Sequence, residues 1–217
     1  PERGAKNRIA MRTAVIWVLG LIRITAKSEP VGLCVSLRMA NVNRTFEVAL
    51  DFVLAHEGEL ANHPYDRGGM TYRGIARKAW PLWEGWKYID VGGTPPMELV
   101  RKFYYENFWV PLQCDKLPEP IAIFLFDSAV GSGHVLPTRW LQRAIGAKDD
   151  GIVGHETIQK AQQARPQAVV DSMLRRRILL YEHIVRNDSK QYAFLAGWLR
   201  RTMNLTALIY RQYIREL

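Results

Sequence analysis

The stretch from His56 to Ile75, HEGELANHPYDRGGMTYRGI, decides how the chain is read. Before it, Phe46, Leu50, Val53 and Leu54 recur at helical spacing, with Thr45 placed as an N-cap and Glu47 in the first turn. Glu57 then falls in the last turn of that helix, just ahead of Gly58, a residue suited to the left-handed C-terminal position. The negative end of the helix dipole disfavours a second negative charge there, as does an apolar surround. A carboxylic acid that keeps its proton near neutrality is what glycosidic cleavage needs, because the leaving sugar oxygen must be protonated as its bond breaks. Asp66 follows nine residues later in a glycine-rich segment that permits a tight reversal, so a second carboxyl is expected to face the first across a groove. On these two acids alone, a simple helix stop followed by an Asx-turn is the favoured explanation.

The wider spacing weighs against that simpler account. Glu57, Gly58, Asn62, Pro64, Asp66, Gly68, Gly69, Thr71, Gly74 and Ile75 fall in register with the signature of the N-acetylmuramidases of glycosyl hydrolase family 108, which this stretch resembles. The resemblance implies a mainly α, lysozyme-like fold with a short β-hairpin around Asp66. It also implies a peptidoglycan hydrolase with Glu57 as general acid, and with Asp66 and Thr71 on the far side of the groove. Asp66 would be base, nucleophile or electrostatic stabiliser, and Thr71 would orient a water or Asp66 itself. A lytic transglycosylase and a non-catalytic wall-binding protein remain the neighbouring readings. Two positions depart from the pattern: Glu59 stands where a second glycine is usual and Leu60 where an aromatic is usual.

Trp80, Trp83 and Trp86 crowd together just after the signature, where they suit either core packing or a stacking platform for sugar faces. With Gly69 and Tyr72 they make up the expected substrate-contacting set. Gly92, Gly93 and Thr94 read as a turn and an N-cap for a helix from Pro95 to Trp109, which stops before Pro111. Pro118 to Val130 is apolar nearly all round, the pattern of a buried central helix, and its single charge, Asp127, requires partners. The Phe126, Asp127, Ala129, Val130 run resembles a stretch of the same family; structural hydrogen bonding or support of the active site would suit its acid.

Further on, Leu141, Gln142, Ala144, Gly146, Asp150, Gly151, Gly154 and Thr157 resemble the pattern of predicted peptidoglycan-binding modules. A plain helical hairpin is the alternative. Residues 166–217 read as two long amphipathic helices, in which Arg175, Arg176, Arg177, Arg200 and Arg201 are expected on solvated faces. The organisation expected is an N-terminal extension over 1–38, a catalytic region over 39–135 and a helical peptidoglycan-binding-like region over 136–217 packed on it.

Composition bounds the rest. The 217 residues are 48% hydrophobic, enough for a sizeable core, and carry a net charge of +9. Residues 1–38 contribute +5, residues 39–164 contribute −2 and residues 165–217 contribute +6. Basic ends suit an anionic partner such as the wall polymer, while no nucleic-acid-reading motif is present, so nucleic acid is not an expected partner. The apolar run Thr13 to Ile22 is too short to span a bilayer; it has the order of a secretory signal from Met11, yet Met39 is expected as the true start. The two cysteines, Cys34 and Cys114, define no redox compartment, and the dispersed histidines form no metal pattern. The expected protein is a monomer acting on glycan strands in the periplasm or wall, made in the cytoplasm and exported, with no cofactor, no metal and no stable membrane span.

Overall fold

The computed structural model describes residues 44–57, 60–61 and 70–214. The segment 1–38, Met39, and the signature residues Gly58, Glu59, Asn62, Pro64, Asp66, Gly68 and Gly69 lie outside the described residues. The described residues open with α1 (Arg44–His56), which buries Phe46, Ala49, Leu50 and Val53 on one stripe. Thr45 lies inside this helix and not at its cap; its hydroxyl donates to Glu119 at 2.9 Å, so a tertiary partner takes the oxygen that local reading gave to the helix start. At the other end the His56 ring turns back along the helix, its Nδ1 2.8 Å from the Phe52 carbonyl.

Three two-residue strands follow: β1 (Leu60–Ala61), β2 (Thr71–Tyr72) and β3 (Ile75–Ala76), antiparallel in the order β1-β2-β3. Leu60 pairs with Tyr72 and Ala61 with Thr71, so the expected hairpin brackets the segment that carries Asp66 in sequence. The β2–β3 connection is tighter. Arg73 and Gly74 both have positive φ, 44° and 85°, the conformation of a two-residue turn whose twist matches its strands.

After the one-turn α2 (Trp86–Ile89), α3 (Met97–Tyr104) begins behind Pro95 and Pro96. Its N-cap position is Pro96, with no side-chain cap, and not Thr94 as the turn pattern suggested; the extended backbone of Pro96 carries the chain past Thr94 before the helix begins. A π turn over Tyr105–Trp109 continues it and brings Trp109 into the core, where its ring meets Phe46 and Phe126 edge-on at 5.3 and 5.4 Å. The extended central helix, α4 (Glu119–Ser132), is buried as expected from Ile121 through Ala129.

Two shorter helices, α5 (Val135–Ile145) and α6 (His155–Gln163), and two 22-residue helices, α7 (Pro166–Asn187) and α8 (Tyr192–Tyr213), complete the described chain. The α5–α6 hairpin is braced from within by a single buried amide. Gln142 Nε2 donates to Asp150 Oδ1, the Ile152 carbonyl and Thr157 Oγ1, while its Oε1 accepts from the Gly151 amide at 2.8 Å. One apolar core extends from Phe46 in α1 through α4 to Leu205 and Ile209 in α8, so every long helix is packed on the same centre. The fold is mainly α and lysozyme-like, with its small sheet beside the end of α1.

Candidate active site

Glu57 follows directly on α1, and its backbone amide closes the last turn on Leu54. Its side chain is 9% exposed. Two features from distant parts of the chain define its surroundings. On one side lies the β2–β3 turn: a Cβ added at Gly74 would strike the Tyr104 hydroxyl and sit 2.9 Å from Glu57 Oε2. The glycine is therefore required twice, by its φ and by the closeness of its backbone to the carboxyl. Tyr104, whose hydroxyl donates to the Arg73 carbonyl at 2.8 Å, holds that turn in place.

On the other side lies Arg201 from α8, whose Nη1 donates to Glu57 Oε1 at 2.8 Å. The same guanidinium donates through Nε and Nη2 to Asp127 Oδ1, at 3.0 and 2.7 Å. Arg177 from α7 completes the set by donating to Asp127 Oδ2 at 2.6 Å and, through Nε, to the Tyr181 hydroxyl, which lies 3.3 Å from Thr202 Oγ1. Two carboxyl groups and two guanidinia thus alternate along one line, Glu57, Arg201, Asp127, Arg177, with planar forks suited to carboxyl geometry. Burial pushes the Asp127 carboxyl up, but Arg201 and Arg177 outweigh it and hold the group at about 2. Burial opposes the charge on both arginines as well, yet Tyr181 and Asp127 carry Arg177, and Asp127 and Glu57 carry Arg201, above the ordinary value.

This network corrects the reading of Arg177 and Arg201 as solvated residues. Arg177 is 5% exposed and the Arg201 side chain 12%, whereas Arg175 and Arg200 are exposed as expected. A signal for both was present in the helical register: Arg177 lies four residues from Met173 and from Tyr181, and Arg201 lies three beyond Trp198 and four before Leu205, all four of them buried. Each arginine sits on the stripe that faces the core.

The aromatic candidates separate by environment. Trp86 is a core residue at 3% exposure, with its Nε1 donating to the Trp80 carbonyl at 2.7 Å, so its ring is used in packing. Tyr72 is buried as well and stacks on Trp83 at 5.9 Å. Trp80 and Trp83 remain half-buried at the sheet side of the molecule, Trp80 edge-on to Phe103 at 4.9 Å. Thr71 is 7% exposed in β2, opposite Ala76. Asp66 and Gly69 lie outside the described residues. Leu60, at the position where an aromatic was usual, is 54% exposed in β1.

Glu57 lies on a lysozyme-like helical scaffold, and the segments that the chain matches are those of glycoside hydrolases acting on peptidoglycan. Residues 50–133 match the family model Glycosyl hydrolase 108 and residues 136–203 match the model Predicted Peptidoglycan domain, so the chain carries a glycosyl hydrolase 108 segment followed by a peptidoglycan-domain segment. Among solved structures, "Structure of Brucella abortus SagA" is similar, with a TM-score of 0.66 at 25% identity over 79% of this chain and 97% of that one. No curated protein matches the chain significantly. The polymer on which such domains act places the work of this protein at the cell wall or in the periplasm. No helix among the described residues is long and apolar enough to cross a membrane.

Proposed function

We propose that the protein hydrolyses the β-1,4 bond between N-acetylmuramic acid and N-acetylglucosamine, with Glu57 as the general acid. The observation that supports this most is the two-sided hold on the Glu57 carboxyl, Oε1 against Arg201 and Oε2 against the Gly74 turn, which gives the acid one orientation. In the reaction the proton passes from Glu57 to the glycosidic oxygen as the C–O bond breaks, and water takes the place of the departed sugar. Asp66, between β1 and β2 in sequence, serves as the second carboxyl, and Thr71 at the start of β2 orients it or the water. Trp80 and Trp83 offer half-buried ring faces for a sugar, while Trp86 acts as their support from the core.

The test is clearing of purified peptidoglycan by the full chain and by Glu57→Gln, followed by mass analysis of what is released. The parent is expected to release fragments with reducing muramic-acid ends, and the variant to lose about a thousand-fold in rate. Anhydro ends would move the chemistry to a lytic transglycosylase. Wall binding without release by the parent would leave a binding protein in place of an enzyme.

A further inference from the structure

The guanidinium that donates to Glu57 Oε1 does not come from the segment that matches the hydrolase family. Glu57 and Asp127 lie within residues 50–133, whereas Arg177, Tyr181 and Arg201 lie within residues 136–203, the segment that matches the peptidoglycan domain. The hydrogen bond from Arg201 to Glu57 joins residues 144 positions apart.

We infer that Arg201 is a positioning residue for Glu57: the peptidoglycan domain completes the active site by fixing the acid and by deciding which of its oxygens carries the proton. This rests on the reading of Glu57 as the general acid. An arginine donates hydrogen bonds and accepts none, so the oxygen that faces it must be an acceptor. With Oε1 accepting from Arg201 Nη1, a protonated Glu57 carries its hydrogen on Oε2, the oxygen on the side of the β2–β3 turn. Asp127 accepts two hydrogen bonds from Arg201, so the guanidinium that meets Glu57 is fixed from its other edge. Arg177 then balances Asp127 from behind, and Tyr181 and Thr202 hold Arg177, so the guanidinium next to the acid is anchored by side chains of α4, α7 and α8 together.

The measurement is steady-state hydrolysis of soluble peptidoglycan fragments by the full chain, by Arg201→Gln and by Arg201→Lys, with folding followed by thermal melting and wall binding by co-sedimentation. Lysine keeps a cation between the two carboxylates but has no planar fork to bridge them, so this variant keeps the fold if the glutamine variant does not. The expected result is a kcat lower by about 100-fold with KM within about twofold of the parent and wall binding retained. A lysine variant with the parent's kcat overturns the inference, as does one whose KM rises while kcat holds. A lysine variant that fails to melt cooperatively also overturns it, because the arginine would then serve the fold and not the acid. A parent that releases no glycan fragments brings down the hydrolase reading instead, a result distinct from a parent that is active and a variant that equals it.

Discussion

Gly74 and Gly151 are alike in isolation: each has a positive φ, 85° and 79°, and each has no room for a side chain. Their surroundings differ. Around Gly151 the polar groups close on themselves, since Gln142, Asp150, Ile152 and Thr157 satisfy one another within a single hairpin and a Cβ would meet only Val135 and the Arg139 side chain. Around Gly74 they open outward, to Tyr104 in α3, to Glu57 after α1 and from there to Arg201 in α8. A glycine turn whose polar partners are all local builds the fold. One whose neighbours come from three separate elements ties distant parts of the chain together, and under the proposed function it keeps the acid in place.

The sharpest way to break that contrast is to add a methyl group at each glycine. Gly74→Ala is expected to lower hydrolysis by about 100-fold or more, because the displaced neighbours are the Tyr104 hydroxyl and the proposed acid, whereas Gly151→Ala should lower the melting temperature with kcat retained at temperatures where it is folded. If both variants lose only stability, the two turns are equivalent after all. Next in size, Gln142→Ala leaves the Gly151 amide and the Thr157 hydroxyl without their partner inside the hairpin and should cost about 3 kcal/mol in urea unfolding. A loss of catalysis beyond that expected from unfolding would place the brace in the site.

The smallest effect concerns Asp127 and pH. Its carboxyl is held at about 2 against an ordinary 3.8, so its stabilising contribution is fully present above about pH 4 and is lost as the pH falls through about 2. The amount is roughly 2 kcal/mol. Melting temperatures measured from pH 5 down to pH 2 should fall through that window, and Asp127→Asn should flatten the part of the curve that this carboxyl contributes.

Much of this architecture was legible from periodicity. The stripes Phe46, Leu50, Val53 and Val170, Met173 mark α1 and α7, and the unbroken apolar run to Val130 marks α4 as central. Helix starts were less legible, because Thr45 found a partner 74 residues away and Pro96 extended the chain beyond Thr94. At the site, a helix end followed by glycine marked Glu57 only once the spacing of the whole signature was added to it. The arginines did not stand out, since a cluster of like charges on a helix is ordinarily solvated and nothing local says that one member of each cluster meets a carboxylate from elsewhere. Only the register of Arg177 and Arg201 within their apolar stripes carried that information. The aromatic cluster shows the reverse: Trp80, Trp83 and Trp86 are adjacent in sequence and indistinguishable by type, yet burial assigns Trp86 to the core and leaves the other two half-covered.

The alternating charges between Glu57 and Arg177 also bear on how such proteins can be recombined. A graft made between residues 133 and 136 follows the visible seam between two family segments, yet it separates both carboxylates from both guanidinia. A foreign C-terminal segment without matching arginines would leave Asp127 ionised in an apolar helix, a loss of several kcal/mol before any question of substrate arises. Inheritance should therefore keep the two segments together as a matched pair, with the junction between them serving as a border in sequence alone.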